Sequence, residues 1–224
     1  MISVDLNSKT KTKMKLFITG IGTDVGKTIA SAIITEALDA DYWKPIQAGD
    51  LENSDTHKIE KLTSAVTSNG VERNYFQNSY ALKTPASPHY AAEIDAVTID
   101  LKKIKTPKTK NHLVIEGAGG ILVPLNNQAT IIDLIQPDYK VIVVSRHYLG
   151  SINHTLLTIE ALQNRNIAIA GIIFNGDENK ATEDIILSKT KVRFLGRIEN
   201  EPYFDNNGIR YYASLFKENL LKIK

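Results

Sequence analysis

Short runs of consecutive apolar residues recur along the chain, separated by longer stretches that mix apolar and polar positions. Four of these runs predict buried strands: KLFIT (15–19), HLVIE (112–116), KVIVVS (140–145) and IAGIIF (169–174). They are apolar without alternation, as expected of parallel strands covered on both faces. A fifth run, YWKPIQ (42–47), predicts a weaker strand, because Pro45 has no N–H to give a central ladder. The stretches between follow the 3.6-residue helical repeat. Gly26–Leu38 aligns Ile29, Ala30, Ile33, Ile34 and Ala37 on one stripe, and Ser151–Asn164 does the same with Ile152, Thr155, Leu156, Ile159 and Leu162. Further helices are predicted near 53–65, 86–93, 177–189 and 209–222. Alternation of strand and helix implies right-handed β-α-β crossovers in a mostly parallel, doubly wound sheet flanked by helices. There is no internal repeat or low-complexity tract. Residues 14–224 therefore read as one α/β domain, preceded by a polar tail (1–13) expected to be flexible.

Composition narrows the chemistry. At 224 residues and 42% hydrophobic content, the chain can bury the core of an ordinary globular protein. A net charge of +2 gives no strong general pull toward nucleic acid or anionic membrane, so the basic stretch KKIKTPKTKN (102–111) reads as a solvated loop. Cysteine is absent, which excludes disulfides, thiolate metal sites and cysteine nucleophiles. Any metal must then sit on oxygen or imidazole. His57, His89, His112, His147 and His154 show no metal-ligand spacing. No apolar run approaches the roughly 18 residues of a membrane span. MISVDLNSKTKTK lacks the apolar segment of a secretory leader, and a cytoplasmic location is expected.

The strand-to-helix junction FITGIGTDVGKT carries the most specific signal. A phosphate-binding P-loop usually spaces four residues between its first glycine and G-K-[ST]; here Ile21 holds that glycine's place, and the glycine is Gly20. The surrounding order of strand, loop, Gly26-Lys27-Thr28 and amphipathic helix is nevertheless the context a P-loop needs. Backbone N–H groups and the helix dipole would face an anion, Lys27 would reach the β/γ-phosphates, and Thr28 could ligate Mg²⁺. The alternative is a glycine turn capping an ordinary helix. Magnesium with phosphates takes only one or two further carboxylates. Glu116 is the best candidate, at the end of an apolar strand and followed by Gly117–Gly120. Asp55, taken alone, reads as a helix cap or a first-turn acid.

The ordered set FITGIGTDVGKT, YWKPIQAG, NSD, TPASPH, VIEGAGGILVPL, LGSINHTLLT and GIIFN resembles the dethiobiotin synthetases, whose loop has the same five residues between its first glycine and G-K-T. The resemblance runs to about FLGRIENEP. It implies a single-domain P-loop fold, a homodimer with substrate near the subunit interface, and no nucleic-acid or membrane partner. The implied reaction is ATP-dependent ring closure of 7,8-diaminononanoate with CO2, through a carbamate and a carbamic–phosphoric anhydride. Mg²⁺ is the implied metal, held by Thr28, Asp55 and Glu116, with ATP as co-substrate. Lys44 is implied to reach the carbamate and γ-phosphate, acting with Lys27 and Thr23. The implied nucleotide site comprises Asp24, Val25, Gly26, Lys27, Thr28 and Ile29, together with Asp55, Glu116, Gly117, Ala118 and Gly119. Asn175, Gly176, Glu199, Asn200 and Glu201 fall where the family meets adenine, although Asn175-Gly176 also reads as a simple turn. Thr23, Ala48, Gly150, Ser151 and Asn153 fall at the diamine and its distal carboxylate, with plain N-capping by Ser151 as the alternative.

Three positions depart from the family pattern: Ala48 replaces a hydroxyl residue, Asp24 a frequent glutamate, and Glu199 a frequent proline. Two other P-loop classes compete. Partitioning and septum-positioning ATPases carry an additional lysine in K-G-G-x-G-K-[ST], where this chain has Gly22, Thr23 and Asp24. ATP-dependent amidation enzymes of cofactor synthesis usually carry a glutaminase cysteine, and this chain has none.

Overall fold

The computed structural model describes residues 13–68 and 70–223, so the tail expected over 1–13 lies, apart from Lys13, outside the described residues. Nine strands are present: β1 (Lys15–Gly20), β2 (Asp41–Trp43), β3 (Ile46–Ala48), β4 (Tyr75–Phe76), β5 (Tyr80–Leu82), β6 (Leu113–Gly120), β7 (Tyr139–Arg146), β8 (Ile169–Asn175) and β9 (Phe194–Ile198). Six α-helices accompany them: α1 (Lys27–Ala37), α2 (Asp55–Leu62), α3 (Pro88–Ile94), α4 (Ser151–Gln163), α5 (Lys180–Thr190) and α6 (Asn206–Leu221). Seven strands form one parallel sheet in the order β4-β2-β6-β1-β7-β8-β9. From β1 the chain crosses to one side, and from β7 it moves to the other. Right-handed crossovers in opposite directions put α1 and α4 on opposite faces. Helices α2 and α6 pack with α1, and α5 packs with α4.

The central strands are the four apolar runs, and their middles are sealed. Leu16, Phe17, Ile18, Val114, Ile115, Val141 to Val144, Ile172 and Ile173 are all at 0% exposure. Each such side chain contributes roughly 1.5–3 kcal/mol over leaving it in water, so the sheet centre is rigid where β1 and β6 deliver their ends.

Several boundaries move for physical reasons. YWKPIQ is two strands: β2 belongs to the main sheet and β3 pairs with β5 in a small second ladder. Pro45 forms the break, and its carbonyl accepts from the N–H groups of Ser79 (2.8 Å) and Tyr80 (3.1 Å). Strand β6 does not close at Glu116 but runs on through the glycines, with a shifted register that pairs Gly20 with Gly120. The helix expected over 53–65 starts at Asp55, because the Ser54 hydroxyl accepts from His57 N at 3.4 Å. Strands β4, β5 and β9 are two to five residues long and were not foreseen. Among the described residues no helix is long and apolar enough to cross a membrane.

Strand β9 is held to α6 by one close approach. A Cβ added at Gly196 would overlap the ring of Phe216, which is 2% exposed. Gly196→Ala should therefore cost about 1–3 kcal/mol by overpacking, lowering Tm by roughly 3–10 °C. Calorimetry showing an unchanged Tm would contradict this packing.

Candidate active site

Strand β1 delivers the chain to the loop at the centre of the sheet, where the crossover direction reverses and α/β sheets open their binding crevice. Ile21 explains the displaced glycine. Its N–H still bonds Val144 O at 3.1 Å and its side chain is buried at 8% exposure, so position 21 continues the ladder. The chain must fold back one residue earlier, at Gly20. A Cβ there would overlap Val25 and stand 3.2 Å from Lys27 Nζ. Gly26 is the N-cap of α1 rather than its first helical residue, with φ at +95° and no side-chain cap. A Cβ at Gly26 would also overlap the Asn175 amide, so this position excludes larger residues twice over. The first turn of α1 is thereby left to an anion, as a P-loop requires.

A cavity of about 850 Å³ opens beside this loop and gathers most of the expected residues. Thr23, Asp24, Gly26, Lys27, Thr28 and Ile29 line one wall, Lys44, Ala48 and Asp55 another, and Glu116, Ala118 and Gly119 a third. Four residues at its heart form a connected charge network. The Thr28 hydroxyl donates to Glu116 Oε1 at 3.1 Å, and Lys44 Nζ donates to the same oxygen at 3.1 Å and to Asp55 Oδ2. Tyr42 OH donates to the other oxygen, Glu116 Oε2, at 2.9 Å. Lys27 Nζ donates to Gly22 O at 2.9 Å, which holds the ammonium over the loop.

The bend at Pro45 puts Lys44 there, between the end of β2 and the start of β3. Burial is the largest influence on Lys44 and pulls its pKa down, but Glu116 and Asp55 together outweigh it and the net direction is up. For Asp55, burial pulls upward, and Lys44 reverses it to hold the carboxyl below its ordinary value. Lys27 goes the other way. Burial lowers its pKa, Lys44 adds to the effect, and Glu116, Asp55 and Asp24 offset it only in part. Burial, reinforced by the charge on Glu116, raises the Tyr42 phenol well above its ordinary value, so it acts as a donor.

Two cations and two carboxylates thus share one water-poor pocket. The donors available to a metal are the Thr28 hydroxyl and the two carboxylates, all hard oxygens. No group of three or more His, Asp or Glu able to hold a metal occurs among the described residues. So sparse a set suits Mg²⁺, which fills its remaining positions with phosphate and water, and not a protein-caged metal.

The other expected residues lie outside this cavity. Val25 is buried, and its carbonyl accepts from Asn175 Nδ2 at 2.9 Å, tying the loop to the end of β8. Gly117 packs against Phe17 and Ile131. Gly176 N bonds Ile198 O at 2.8 Å, which brings Asn175, Gly176 and the segment Glu199, Asn200, Glu201 to one end of β8 and β9. Gly150, with φ at +98°, is the N-cap of α4, whereas Ser151 is its first residue and is 2% exposed, so the capping alternative for Ser151 does not hold. Asn153 is exposed one turn further on. His154 Nδ1 bonds Tyr148 OH at 2.7 Å, a local contact rather than a site.

Some residues of the pocket were not singled out beforehand. Gln47 lines the cavity and its Oε1 accepts from Asp55 N at 3.4 Å; Lys58 stands 3.7 Å from Asp55 Oδ1. Pro85 to Pro88, within the quoted TPASPH, close its far side. Tyr42 carried no signal, since a tyrosine in an apolar strand reads as core.

Four comparisons locate the chain among known proteins. The AAA domain family matches residues 14–207. The ATP-dependent dethiobiotin synthetase BioD of Christiangramia forsetii is 59% identical over 207 residues, covering 92% of this chain and 98% of the relative. That of Cytophaga hutchinsonii is 48% identical over the same length, again covering 92% and 98%. Among solved structures, the cell division ATPase MinD of Pyrococcus furiosus superposes with a TM-score of 0.60 at 14% identity, covering 94% of this chain and 99% of that one. At that identity the likeness concerns the fold alone.

Removing the ammonium between Asp55 and Glu116 should make stability depend on pH. The raised pKa of Lys44 means its contribution is complete below the ordinary value of 10.5 and is lost as pH rises through the folded value. The lowered pKa of Asp55 means its contribution is complete above 3.8 and is lost as pH falls through the folded value. The wild-type network is therefore intact throughout the window between. Lys44→Met should cost about 3 kcal/mol near neutral pH, and less at about pH 5, where proton uptake relieves the unpaired carboxylates. A difference in Tm that stays constant across this range would contradict the network.

Proposed function

Because the chain belongs to the dethiobiotin synthetase family, we infer that it closes the cyclic urea of dethiobiotin from 7,8-diaminononanoate, CO2 and ATP, releasing ADP and phosphate. The observation that carries this reading is the network of Thr28, Glu116, Lys44 and Asp55 beside the phosphate loop. It supplies charge and position without a general base. One amine of the diamine takes up CO2 and becomes a carbamate. A carbamate oxygen attacks the γ-phosphorus, and the bond to ADP breaks. The second amine then attacks the carbonyl carbon of the carbamic–phosphoric anhydride, and phosphate leaves as the ring closes. A carbamate is already nucleophilic, so the protein's part is alignment and stabilisation of the charge spread over the transferring group.

In this reading the backbone from Asp24 to Ile29 cradles the phosphates, while Lys27 spans the loop toward them. Lys44 keeps its proton, since the two carboxylates raise its pKa, and it presents a cation to the carbamate and the γ-phosphate. Thr28, Asp55 and Glu116 are the groups that would hold Mg²⁺. When bound, the ion neutralises the β- and γ-phosphate oxygens. Thr23 and Ala48, on the cavity wall, flank the diamine. Ala48 brings no hydroxyl, and neighbouring Gln47, whose amide bonds Gly49 O and Asp55 N, is the polar group nearest in sequence. Asn175, Gly176 and Glu199 to Glu201 form the adenine end.

The distal-carboxylate segment supports a homodimer. Gly150, Ser151 and Asn153 do not line the cavity that holds Lys44. A second copy offering its α4 N-terminus reconciles one substrate with both sets of residues. Leu149, fully exposed at 103% between partly exposed Tyr148 and Ile152, offers apolar surface for that contact.

Phosphate release by purified protein should require Mg²⁺, bicarbonate and 7,8-diaminononanoate together; turnover indifferent to the diamine would sink the assignment. Lys44→Gln should lower kcat by about 10²–10³-fold, the loss typical of one transition-state donor, while ATP binding persists. A kcat near that of the unaltered protein would remove Lys44 from the mechanism.

A further inference from the structure

We propose that Tyr42 is a positioning residue for the metal-binding carboxylate: its phenol locks Glu116 in the one orientation that turns Oε1 toward Thr28 and Lys44. The inference rests on reading Glu116 as a magnesium ligand and extends that site by a residue behind it.

The sheet register sets up the contact. Tyr42 pairs with Val114 in the parallel β2–β6 ladder, and Glu116 lies two residues further along β6. Side chains two apart on a strand share a face, so the tyrosine ring reaches diagonally to the carboxylate, as long side chains do between adjacent strands. Both residues are sealed, Tyr42 at 0% and Glu116 at 1% exposure. Phenylalanine would fill the same volume, so packing alone does not call for the hydroxyl. A buried phenol needs an acceptor, and Glu116 Oε2 supplies it at 2.9 Å.

The two oxygens of Glu116 have different partners. Oε1 accepts from Thr28 and from Lys44, each at 3.1 Å, on the side that opens to the cavity; Oε2 accepts from Tyr42. The terminal torsion of a glutamate is broad and roughly two-fold, so little in the side chain itself holds this arrangement. With the phenol in place, turning the carboxylate would break a buried hydrogen bond. Without it, Oε2 has lost that donor and the carboxylate is free to turn. Partners of this kind behind a metal ligand typically contribute about 10–100-fold to metal affinity.

The test is Mn²⁺ binding in the presence of saturating ADP, read by electron paramagnetic resonance and normalised to the ADP-bound protein, so that any unfolded fraction drops out. Tyr42→Phe should weaken Mn²⁺ binding about 10-fold while metal-free ADP affinity stays unchanged, and the Mg²⁺ concentration for half-maximal turnover should rise. Glu116→Gln should also weaken Mn²⁺ binding, and the double variant should be no weaker than Glu116→Gln alone. Should Glu116→Gln leave Mn²⁺ affinity intact, the reading of Glu116 as a ligand fails. If Glu116→Gln weakens it but Tyr42→Phe stays within twofold of the unaltered protein, the inference about Tyr42 is overturned. Full additivity in the double variant would overturn it as well, since Tyr42 would then act by another route.

Discussion

A carboxylate buried in the middle of a parallel sheet is the constraint on which the rest of the site depends. Glu116 sits in β6 beneath the phosphate loop at 1% exposure, where an unpaired charge would cost several kcal/mol. Each of its donors comes from a different part of the chain: Thr28 from the first turn of α1, Lys44 from the bend after β2, and Tyr42 from β2 itself. The first strand-helix-strand unit must therefore close correctly on β6 before the carboxylate is stable. The same closure builds the phosphate site.

The bend at Pro45 links fold to chemistry. If 42–47 continued as one strand, alternation would decide which face Lys44 occupied. Instead the chain leaves the main sheet, pairs with β5, and puts the lysine between two carboxylates. The resulting balance of two ammonium groups against two carboxylates is tuned in opposite directions. Lys44 is stabilised as a cation, whereas burial makes Lys27 easier to discharge. An arriving nucleotide brings the negative charge that Lys27 lacks, so the pocket favours occupation by phosphate.

Much of this was legible in the sequence because the central strands are long, apolar and bounded by glycine. KLFIT, KVIVVS and IAGIIF mark β1, β7 and β8 nearly to the residue. Strands β4, β5 and β9 escaped because two to five residues carry too little periodicity to stand out; FLGRI, with an arginine and a glycine, does not look like a buried run although Leu195 is at 0% exposure. The phosphate loop and Glu116 were readable from local pattern alone. Lys44 and Asp55 were not. Their meaning comes from a contact between residues eleven apart across a turn, and only likeness to a family pointed to it. Tyr42 was silent for the opposite reason: its ring satisfies the core pattern and only the hydroxyl has a further use. Gly150, Ser151 and Asn153 are legible as a motif, yet their separation from the Lys44 cavity makes sense only with a second copy.

The central claim is that this network transfers the γ-phosphoryl group to a carbamate oxygen. Turnover started with ¹⁸O-labelled bicarbonate, and stopped before the label exchanges with water, tests it directly by mass spectrometry of the released phosphate. The account predicts one ¹⁸O from the carbon dioxide in each phosphate, because the attacking carbamate oxygen departs with phosphorus when the ring closes. Unlabelled phosphate formed alongside dethiobiotin would contradict it.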